Sequence, residues 1–282
     1  MRSVVKGMTC AVAVCVLTGT VHGASGLLIV TKTTASGGPP QGRAEGALGD
    51  RTSRVQIETT RMRTESTDAK GDKTVMVFDG SRQILDIIHV SRKTYTEMTK
   101  DDVDRMGAQA SDARAQMQKR LETLPPAQRA QMEAAMKGRL GGAAAGPAAR
   151  VQYKKTGTGA VGKWTCDKYE GFENGRKTSE VCAVDPKVLG FTASDFEVSR
   201  QFAEFFKKML PSSTGQTQTF AIATVADQGF SGVPVRRMFT IAGREVTTEI
   251  TEVSRQSFPD SAFAVPEGFQ KQSIPAVGRG RQ

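Results

Sequence analysis

The amino-acid sequence predicts an α+β protein, with an antiparallel sheet of about eleven strands curved into a half-barrel and about three helices packed on its concave face. Apolar and polar residues alternate with a period of two through most of the chain, and β-branched side chains are common there. Short turn signals separate these stretches, and three longer stretches change to helical spacings of three and four residues.

The candidate strands are joined by short turns, which place neighbouring strands side by side in antiparallel order. The turn signals include Asp79-Gly80, Asn174-Gly175 and Ala242-Gly243. We expect one face of the sheet to be covered and the other to be exposed to solvent, because apolar residues alternate with polar ones along the same strand. The strands are predicted at residues 27–33, 54–63, 74–78, 83–90, 93–98, 151–155, 160–172, 177–184, 216–226, 233–241 and 245–254.

Helices are predicted at residues 100–123, 126–140 and 194–210, and the first two form a helical insertion at about 100–140. Pro125-Pro126 separates them, because proline is tolerated in the first turn of a helix but not in its interior. The third helix is expected to begin with a capping box formed by Ser194 and Glu197. The apolar stripe of the first helix contains Val103, Met106, Ala110, Ala113, Met117 and Leu121.

Residues 1–23 are predicted to form a cleavable signal peptide. Arg2 and Lys6 precede a mostly apolar stretch at residues 8–21, and small residues follow around the predicted cleavage point at Gly23. An N-terminal membrane anchor is the alternative, but the apolar stretch is shorter than the roughly 20 residues that a membrane helix needs. We therefore expect a periplasmic or secreted protein that does not span the membrane.

The mature chain is expected to contain one β-rich domain at residues 24–270 and a mobile tail at residues 271–282. The full chain has a formal net charge of +10, and aromatic residues make up 6% of it. Binders of single-stranded nucleic acid interleave basic with aromatic residues, and this chain lacks that pattern. We do not expect nucleic acid as a partner. The spread basic charge suits a solvated surface, or attraction to anionic envelope polymers and lipid head groups.

Two cysteines remain after cleavage, Cys166 and Cys182, because Cys10 and Cys15 lie in the signal peptide. An even pair in an exported chain indicates a disulfide. A hairpin centred on Asn174 would place the two cysteines directly opposite each other. A metal site or a catalytic thiol is the alternative, and both need partner residues that the sequence does not offer.

Cleavage also leaves a single histidine, His89, in a predicted strand. One titratable group makes no catalytic triad, so we expect an exposed or hydrogen-bonded strand histidine. The sequence contains no HExxH, no G-x-S-x-G and no phosphate-binding glycine loop. Asp101 and Asp102 open a helix, where acidic residues interact favourably with the helix dipole. We therefore expect no enzyme, no cofactor and no metal site.

Apolar residues of the predicted helices are candidates for lining a site for an apolar ligand. Methionine-rich helices can form adaptable surfaces that accept variable apolar groups. Core filling between helices and sheet is the alternative, since it needs the same stripe. Copper binding by thioethers is a third, and it has no histidine to support it. The candidate lining residues are Met106, Met117, Met132, Met136, Phe202 and Phe206.

Six short segments follow one another along the chain: residues 76–80 (MVFDG), 93–98 (KTYTEM), 124–132 (LPPAQRAQM), 162–169 (GKWTCDKY), 232–235 (GVPV) and 263–269 (FAVPEGF). In this order they resemble an exported bacterial family that is defined by domain of unknown function 4412. That family has no established activity, so the resemblance implies none. The predicted architecture is also similar to the LolA-like periplasmic lipoprotein carriers, which hold an acyl chain between a half-barrel and helices.

Three functional hypotheses follow. The first is a non-catalytic envelope protein that binds an apolar ligand, a lipid or a lipidated partner in a half-barrel cavity. The second is a structural or protein-interaction module of the envelope whose cavity is filled by its own side chains. The third is an enzyme, which would need a pocket that brings His89 together with a paired carboxylate.

Overall fold

An open sheet forms the framework of the protein, with twelve strands in the part of the chain that the structure describes. The structure is a computed structural model that describes residues 26–37, 49–139, 151–209, 229–241 and 243–274. Within them the predicted fold class is confirmed, since the sheet is mostly antiparallel, is not closed into a barrel and is accompanied by three α-helices. The predicted signal peptide lies outside the described residues.

Along the described part of the chain, two α-helices follow the sixth strand and a third follows the ninth. The helices are α1 (Lys100–Glu122), α2 (Pro126–Arg139) and α3 (Ala193–Met209). The strands are β1 (Gly26–Ser36), β2 (Arg51–Ile57), β3 (Arg61–Asp68), β4 (Lys73–Asp79), β5 (Ile84–His89), β6 (Thr94–Thr99), β7 (Gln152–Val161), β8 (Trp164–Glu173), β9 (Arg176–Val184), β10 (Val233–Ile241), β11 (Arg244–Gln256) and β12 (Gln270–Lys271).

Two antiparallel meanders make up the sheet. Strands β1 to β6 follow one another in space, as do β7 to β11, and the pairing of β1 with β11 joins the two sets. Strand β12 adds to β6 in parallel. The Gln270 N–H donates to the Lys93 carbonyl at 2.9 Å, and the Gln272 N–H donates to the Tyr95 carbonyl at 2.7 Å. In the described part of the chain, β12 and β7 are therefore the two ends of the sheet.

The single strand predicted at residues 54–63 is wrong, because this stretch spans two strands with a turn at Thr59-Thr60. The Glu58 N–H donates to the Arg61 carbonyl at 2.9 Å, and the Arg61 guanidinium binds the Glu58 carboxylate at 2.6 Å. The turn has no glycine, proline, asparagine or aspartate at its tip. The usual sequence signal for a turn is therefore missing there.

Residues 151–172 are also divided differently from the prediction. Strand β7 runs through to Val161 and β8 begins at Trp164, with a turn at Gly162-Lys163 between them. Gly162 has a φ of 53°, a conformation that glycine adopts readily. The strand predicted at residues 216–226 lies outside the described residues, and the short strand β12 has no counterpart among the predicted strands.

Helix α3 packs on the sheet against β2 and β3, and the start of α1 contacts β6. The ring of Phe78 on β4 lies 5.3 Å from the ring of Phe202 and 5.4 Å from that of Phe205. All three side chains are buried, and burying a side chain of this size stabilises the fold by roughly 1.5–3 kcal/mol. Helix α1 begins where β6 ends and packs against α3, whereas α2 packs against α1.

The start of α3 differs from the predicted capping box of Ser194 and Glu197. The carboxylate of Asp195 accepts hydrogen bonds from the N–H of Thr192 at 2.6 Å and from its hydroxyl at 2.8 Å. Glu197 instead accepts a hydrogen bond from Arg200 along the helix surface. The pair that holds the first turn, Thr192 and Asp195, therefore has the same spacing as the predicted pair but lies two positions nearer the N-terminus.

The C-terminal residues 257–274, which we call the strap, cover the face of the sheet opposite the helices. Phe258 and Phe263 pack there with Leu28, Val75, Val77 and Ile88 in a second apolar cluster. Of the predicted tail at residues 271–282, Lys271 lies in β12 and Ile274 packs against the main core. The remainder of that tail lies outside the described residues. No helix in the described ranges is long and apolar enough to cross a membrane.

Candidate binding surface

Phe202, one of the predicted lining residues, lies inside the core. It is 3% exposed, and fully buried side chains such as Leu85 and Val198 belong to the same cluster. Phe206 lies on α3 as well, but its side chain is outside what the structure describes. The space around Phe202 is therefore occupied by the protein's own side chains.

The predicted methionines lie on α1 and α2, which we call the helical hairpin (Lys100–Arg139). Met106 is half-buried near the start of α1. Met117 is 44% exposed and Met132 is 37% exposed, so both present thioether side chains to solvent. Met136 lies on α2, and its side chain is not described. The structure thus separates the predicted lining into a buried part on α3 and an exposed part on the hairpin.

The first turn of α1 anchors the helical hairpin to the sheet. The Thr99 hydroxyl accepts a hydrogen bond from the Asp102 N–H at 3.2 Å, and the Asp102 carboxylate accepts one from the Thr99 N–H at 3.0 Å. This capping box satisfies backbone donors that a helix start leaves without partners. Val103 is fully buried in the main core and fixes the same turn by packing.

The side chain of Arg129 spans the turn between α1 and α2. Its guanidinium donates to the carbonyl oxygens of Leu121 and Glu122, both at 2.9 Å. The last carbonyls of a helix have no partners within the helix, so these bonds stabilise the end of α1. Pro126 occupies the first position of α2, where its fixed φ suits a helix start. The two helices are therefore joined by a defined turn.

Beyond its anchored start, α1 stands away from the core. Every described side chain from Ser111 to Arg120 is exposed, and Leu121 is half-buried close to the turn. Residues 105–139 contain seven basic and three acidic residues, which is a net charge of +4. The outer part of the hairpin therefore combines exposed methionines with an excess of positive charge.

A pair of carboxylates lies on the strap face of the sheet. Asp86 on β5 is directly opposite Glu97 on β6, and Lys271 from β12 binds Glu97 at 2.8 Å. Burial, together with the charge of Glu97, raises the pKa of Asp86 to about 6, although Arg82 and Lys271 oppose the shift. The Asp86 Oδ1 atom is buried and has no hydrogen-bond partner among the described residues. The surroundings of Asp86 therefore make its carboxyl easier to protonate than that of an ordinary aspartate.

His89 lies in β5, opposite Thr74 on one side and Thr94 on the other. Burial lowers the pKa of His89, and the charge of Arg92 lowers it further, so the neutral imidazole is favoured. Within the described ranges, no three histidine, cysteine, aspartate or glutamate side chains are grouped so that they could hold a metal ion.

Cys166 and Cys182 form a disulfide with a Cα–Cα distance of 5.4 Å. The predicted register of their hairpin is wrong, because Cys182 lies opposite Lys168 instead of Cys166. The turn is centred between Asn174 and Gly175 and not on Asn174, and a bulge between Gly171 and Phe172 gives β9 an extra residue, so that each shifts the pairing by one residue. The two cysteines are therefore neighbours on the diagonal of one sheet face.

An arginine lies within an aromatic cluster that the sequence analysis missed. The guanidinium of Arg237 on β10 lies 5.6 Å from the ring centre of Phe230, which also contacts Tyr153 and Tyr169. Burial lowers the pKa of Arg237, while the charge of Tyr153 and its hydrogen bond raise it. Because these residues come from separate strands and from the segment before β10, no local sequence pattern predicts the cluster.

A shallow groove of ≈ 220 Å³ lies across β9, β10 and β11. Its lining is mostly polar and includes Lys177, Glu180 and Glu245, with Met238 and Phe239 as its large apolar members. None of the candidate lining residues predicted from the sequence is part of it. The groove and the helical hairpin are therefore different surfaces.

Comparison with known proteins identifies one family. Its sequence profile, described as domain of unknown function (DUF4412), matches residues 113–269. A search of curated proteins gives no significant match. Among solved structures, an uncharacterized conserved protein from Thermus thermophilus is 9% identical with a TM-score of 0.42, over 89% of this chain and 91% of that one. The structure of PNGF-II is 10% identical with a TM-score of 0.33, over 89% of this chain and 32% of that chain. These likenesses are too remote to assign an activity.

Proposed function

The chain belongs to the family of the domain of unknown function DUF4412, and we propose that it is an exported, non-catalytic binding protein whose helical hairpin contacts an apolar ligand, a lipid or a lipidated partner. The observation that carries this proposal is the exposure of Met117 and Met132 on a hairpin that is anchored at one end. Methionine side chains adapt to apolar groups of different shapes.

The filled core supports the hairpin as the binding surface. Phe78 packs on Phe202 and Phe205 at centroid distances of 5.3 Å and 5.4 Å between sheet and α3. A ligand in that position would have to displace buried aromatic side chains, and truncating one such side chain to alanine costs roughly 3–5 kcal/mol. Contact with side chains that are already exposed carries no such cost. The ligand surface in this proposal is therefore the outside of the helical layer.

The compartment is supported by the disulfide and by the N-terminal sequence. Disulfides form and persist outside the reducing cytosol, and Cys166–Cys182 is one. The leader-like pattern of basic, apolar and small residues at positions 1–23 agrees with export. N-terminal sequencing of the protein recovered from the periplasm or medium tests this part, and a chain that still begins at Met1 would refute it.

The non-catalytic character is supported by the surroundings of the titratable groups. The single histidine of the predicted mature chain, His89, has two threonines as its cross-strand neighbours and not a carboxylate. A self-filled interaction module is the second candidate function, and the packing of Phe78 with Phe202 favours it. The two functions differ in whether an apolar molecule binds at the hairpin.

Native mass spectrometry of the mature protein, purified gently from the exported fraction, tests the proposal. We expect a co-purified apolar molecule that is lost in the double variant Met117→Ser/Met132→Ser. Val188→Ser is the matched control, because Val188 is an apolar residue outside the hairpin that is more exposed, at 59%, than either methionine. An empty protein in every case, with no uptake of an added fluorescent fatty acid, would favour the self-filled module.

A further inference from the structure

We propose that the partner of the helical hairpin is an anionic phospholipid surface, an inference that rests on the proposed function of the same hairpin. The argument depends on how charge is arranged around the apolar stripe of α1. Helices that bind in the plane of a membrane surface combine an apolar stripe with basic residues that meet the lipid phosphates.

Successive residues of an α-helix are turned by about 100° around its axis, so positions in α1 can be placed around the stripe. Positions 114 and 120, both arginine, lie about 60° on either side of the stripe's centre. Asp112 and Glu122 lie about 140° from it, on the far side of the helix together with Lys119. The stripe residues in the outer part of α1 are Met106, Ala110, Ala113, Met117 and Leu121.

The burial of α1 agrees with this placement. On the stripe, Met106, Ala110 and Leu121 are half-buried and Ala113 and Met117 are exposed, whereas on the far side both Asp112 and Glu122 are exposed. Two arginine positions therefore flank the apolar stripe, and the acidic positions are turned away from it. An anionic surface in contact with the stripe would have an arginine position on either side of the contact. The carboxylates of Asp112 and Glu122 would lie on the far side of the helix, away from that surface.

The outer part of the hairpin, residues 105–139, is more basic than the hairpin as a whole, since Lys100–Arg139 carries a net charge of +2. Residues 105–139 carry +4 of the formal net charge of +10. The described ion pairs of α1 are at its anchored start, where Lys100 binds Asp104 at 2.6 Å and Arg105 binds Asp102. Attraction to anionic lipid amounts to about a fivefold gain in affinity for each basic residue near the surface. The outer hairpin thus combines weak apolar insertion with charge attraction.

Sedimentation of the full mature protein with lipid vesicles tests this inference. Vesicles of phosphatidylcholine alone are compared with vesicles that also contain phosphatidylglycerol, at low and high ionic strength. We expect tighter binding to the anionic vesicles, and weakening by salt, which screens exposed charges. Arg114→Gln/Arg120→Gln should lose about 25-fold in affinity for anionic vesicles, at about fivefold for each arginine.

The matched control is Arg54→Gln/Arg176→Gln, which removes the same charge from two exposed arginines outside the hairpin. It should bind like the wild type. Equal binding to both kinds of vesicle, or an equal loss in the control variant, would overturn the lipid assignment. The lipid assignment would also be overturned if the protein did not bind vesicles and formed a dimer through the hairpin in analytical ultracentrifugation. A second copy of the chain would then be the partner of the hairpin.

The same measurements separate this inference from the function on which it rests. If Met117→Ser/Met132→Ser abolishes binding of a fluorescent fatty acid while the arginine variant binds vesicles normally, the hairpin binds apolar groups and only the anionic surface is refuted. If the methionine variant changes neither fatty-acid nor vesicle binding, the proposed function itself is refuted. Circular dichroism of each variant confirms that α1 has remained folded.

Discussion

Asp86 lies directly opposite Glu97 on the neighbouring strand, and Lys271 of the strap binds only the second of these two carboxylates. Like charges in directly opposite positions of a sheet are destabilising. Protonation of Asp86 relieves the repulsion and removes the cost of a buried charge. The strap face of the sheet therefore contains a group whose charge is unfavourable to folding near neutral pH.

Asp86→Asn should stabilise the protein at neutral pH. The folded pKa of about 6 lies above the ordinary value of 3.8, so folding favours the protonated carboxyl. The free energy of unfolding of the wild type must then fall as pH rises from about 4 to about 6. With solvent screening of this half-buried group, the variant should gain of order 1 kcal/mol at pH 7 and nothing below about pH 4. Urea denaturation across this range measures the gain, and Glu267→Gln at an exposed carboxylate is the control.

Asp195→Asn should destabilise the protein. The contribution of Asp195 to the free energy of unfolding rises with pH, whereas that of Asp86 falls. Burial alone raises the pKa of Asp195, but hydrogen bonds from Arg255 and Thr192 outweigh it and hold the pKa below its ordinary value. The stability from this pair is present above the unfolded pKa of about 4 and is lost as pH falls through the folded pKa.

The side chain of Asp195 is only 8% exposed, and Arg255 Nη1 donates to its Oδ1 at 2.8 Å. Breaking a buried pair costs about 3–5 kcal/mol, and the partial exposure of Arg255 places the expected loss at the lower end. Thermal or urea unfolding at pH 7 measures it. A loss no larger than that of Glu204→Gln, in an exposed ion pair with Arg200, would contradict this account.

Reduction of the Cys166–Cys182 disulfide should lower the free energy of unfolding by about 3 kcal/mol, because the two cysteines are 16 residues apart and close a loop of that size. Cys166→Ser/Cys182→Ser should show the same loss without reductant. Thiol labelling of the unfolded, unreduced mature protein should find no free cysteine. Two labelled thiols would show that the bond does not form in the cell.

Gly232→Ala should be more damaging than an ordinary glycine replacement. Gly232 has a φ of +96°, and an added Cβ would lie 2.5 Å from the carbonyl oxygen of Val184 on the paired strand β9. Gly268 has a similar φ of +80°, but an added Cβ there would meet nothing within 4 Å. Gly268→Ala should therefore cost only the backbone strain, about 1 kcal/mol, and Gly232→Ala at least twice that. Equal losses would show that the strand moves away at no cost.

Most of the sheet could be predicted because alternation and turn residues are local properties. The division at Thr59-Thr60 could not, because no residue there favours a turn. The turn at Gly162-Lys163 does contain a glycine, which the prediction placed inside a strand. The capping box predicted for α3 is wrong because two pairs have the required spacing, Ser194 with Glu197 and Thr192 with Asp195, and the second pair forms the hydrogen bonds. The local sequence also does not show that Arg255 on β11 binds Asp195.

The candidate site was predictable in its residues but not in its arrangement. Helical spacing identifies the methionines and Phe202 as apolar positions, yet it cannot tell which of them the sheet covers. Phe202 is buried because α3 lies across β2 and β3, whereas Met117 is exposed because α1 extends beyond that contact. The Asp86–Glu97 pair depends on strand register, which the sequence pattern alone does not determine.

The central claim is that an apolar ligand contacts the helical hairpin and not the space beneath α3. Photo-cross-linking with a diazirine fatty acid, followed by trypsin digestion and mass spectrometry, tests it most directly. We predict labelling of the tryptic peptides at residues 115–119 and 130–137, which contain Met117 and Met132. Labelling concentrated in the peptide at residues 201–207, which contains Phe202 and Phe205, would contradict it.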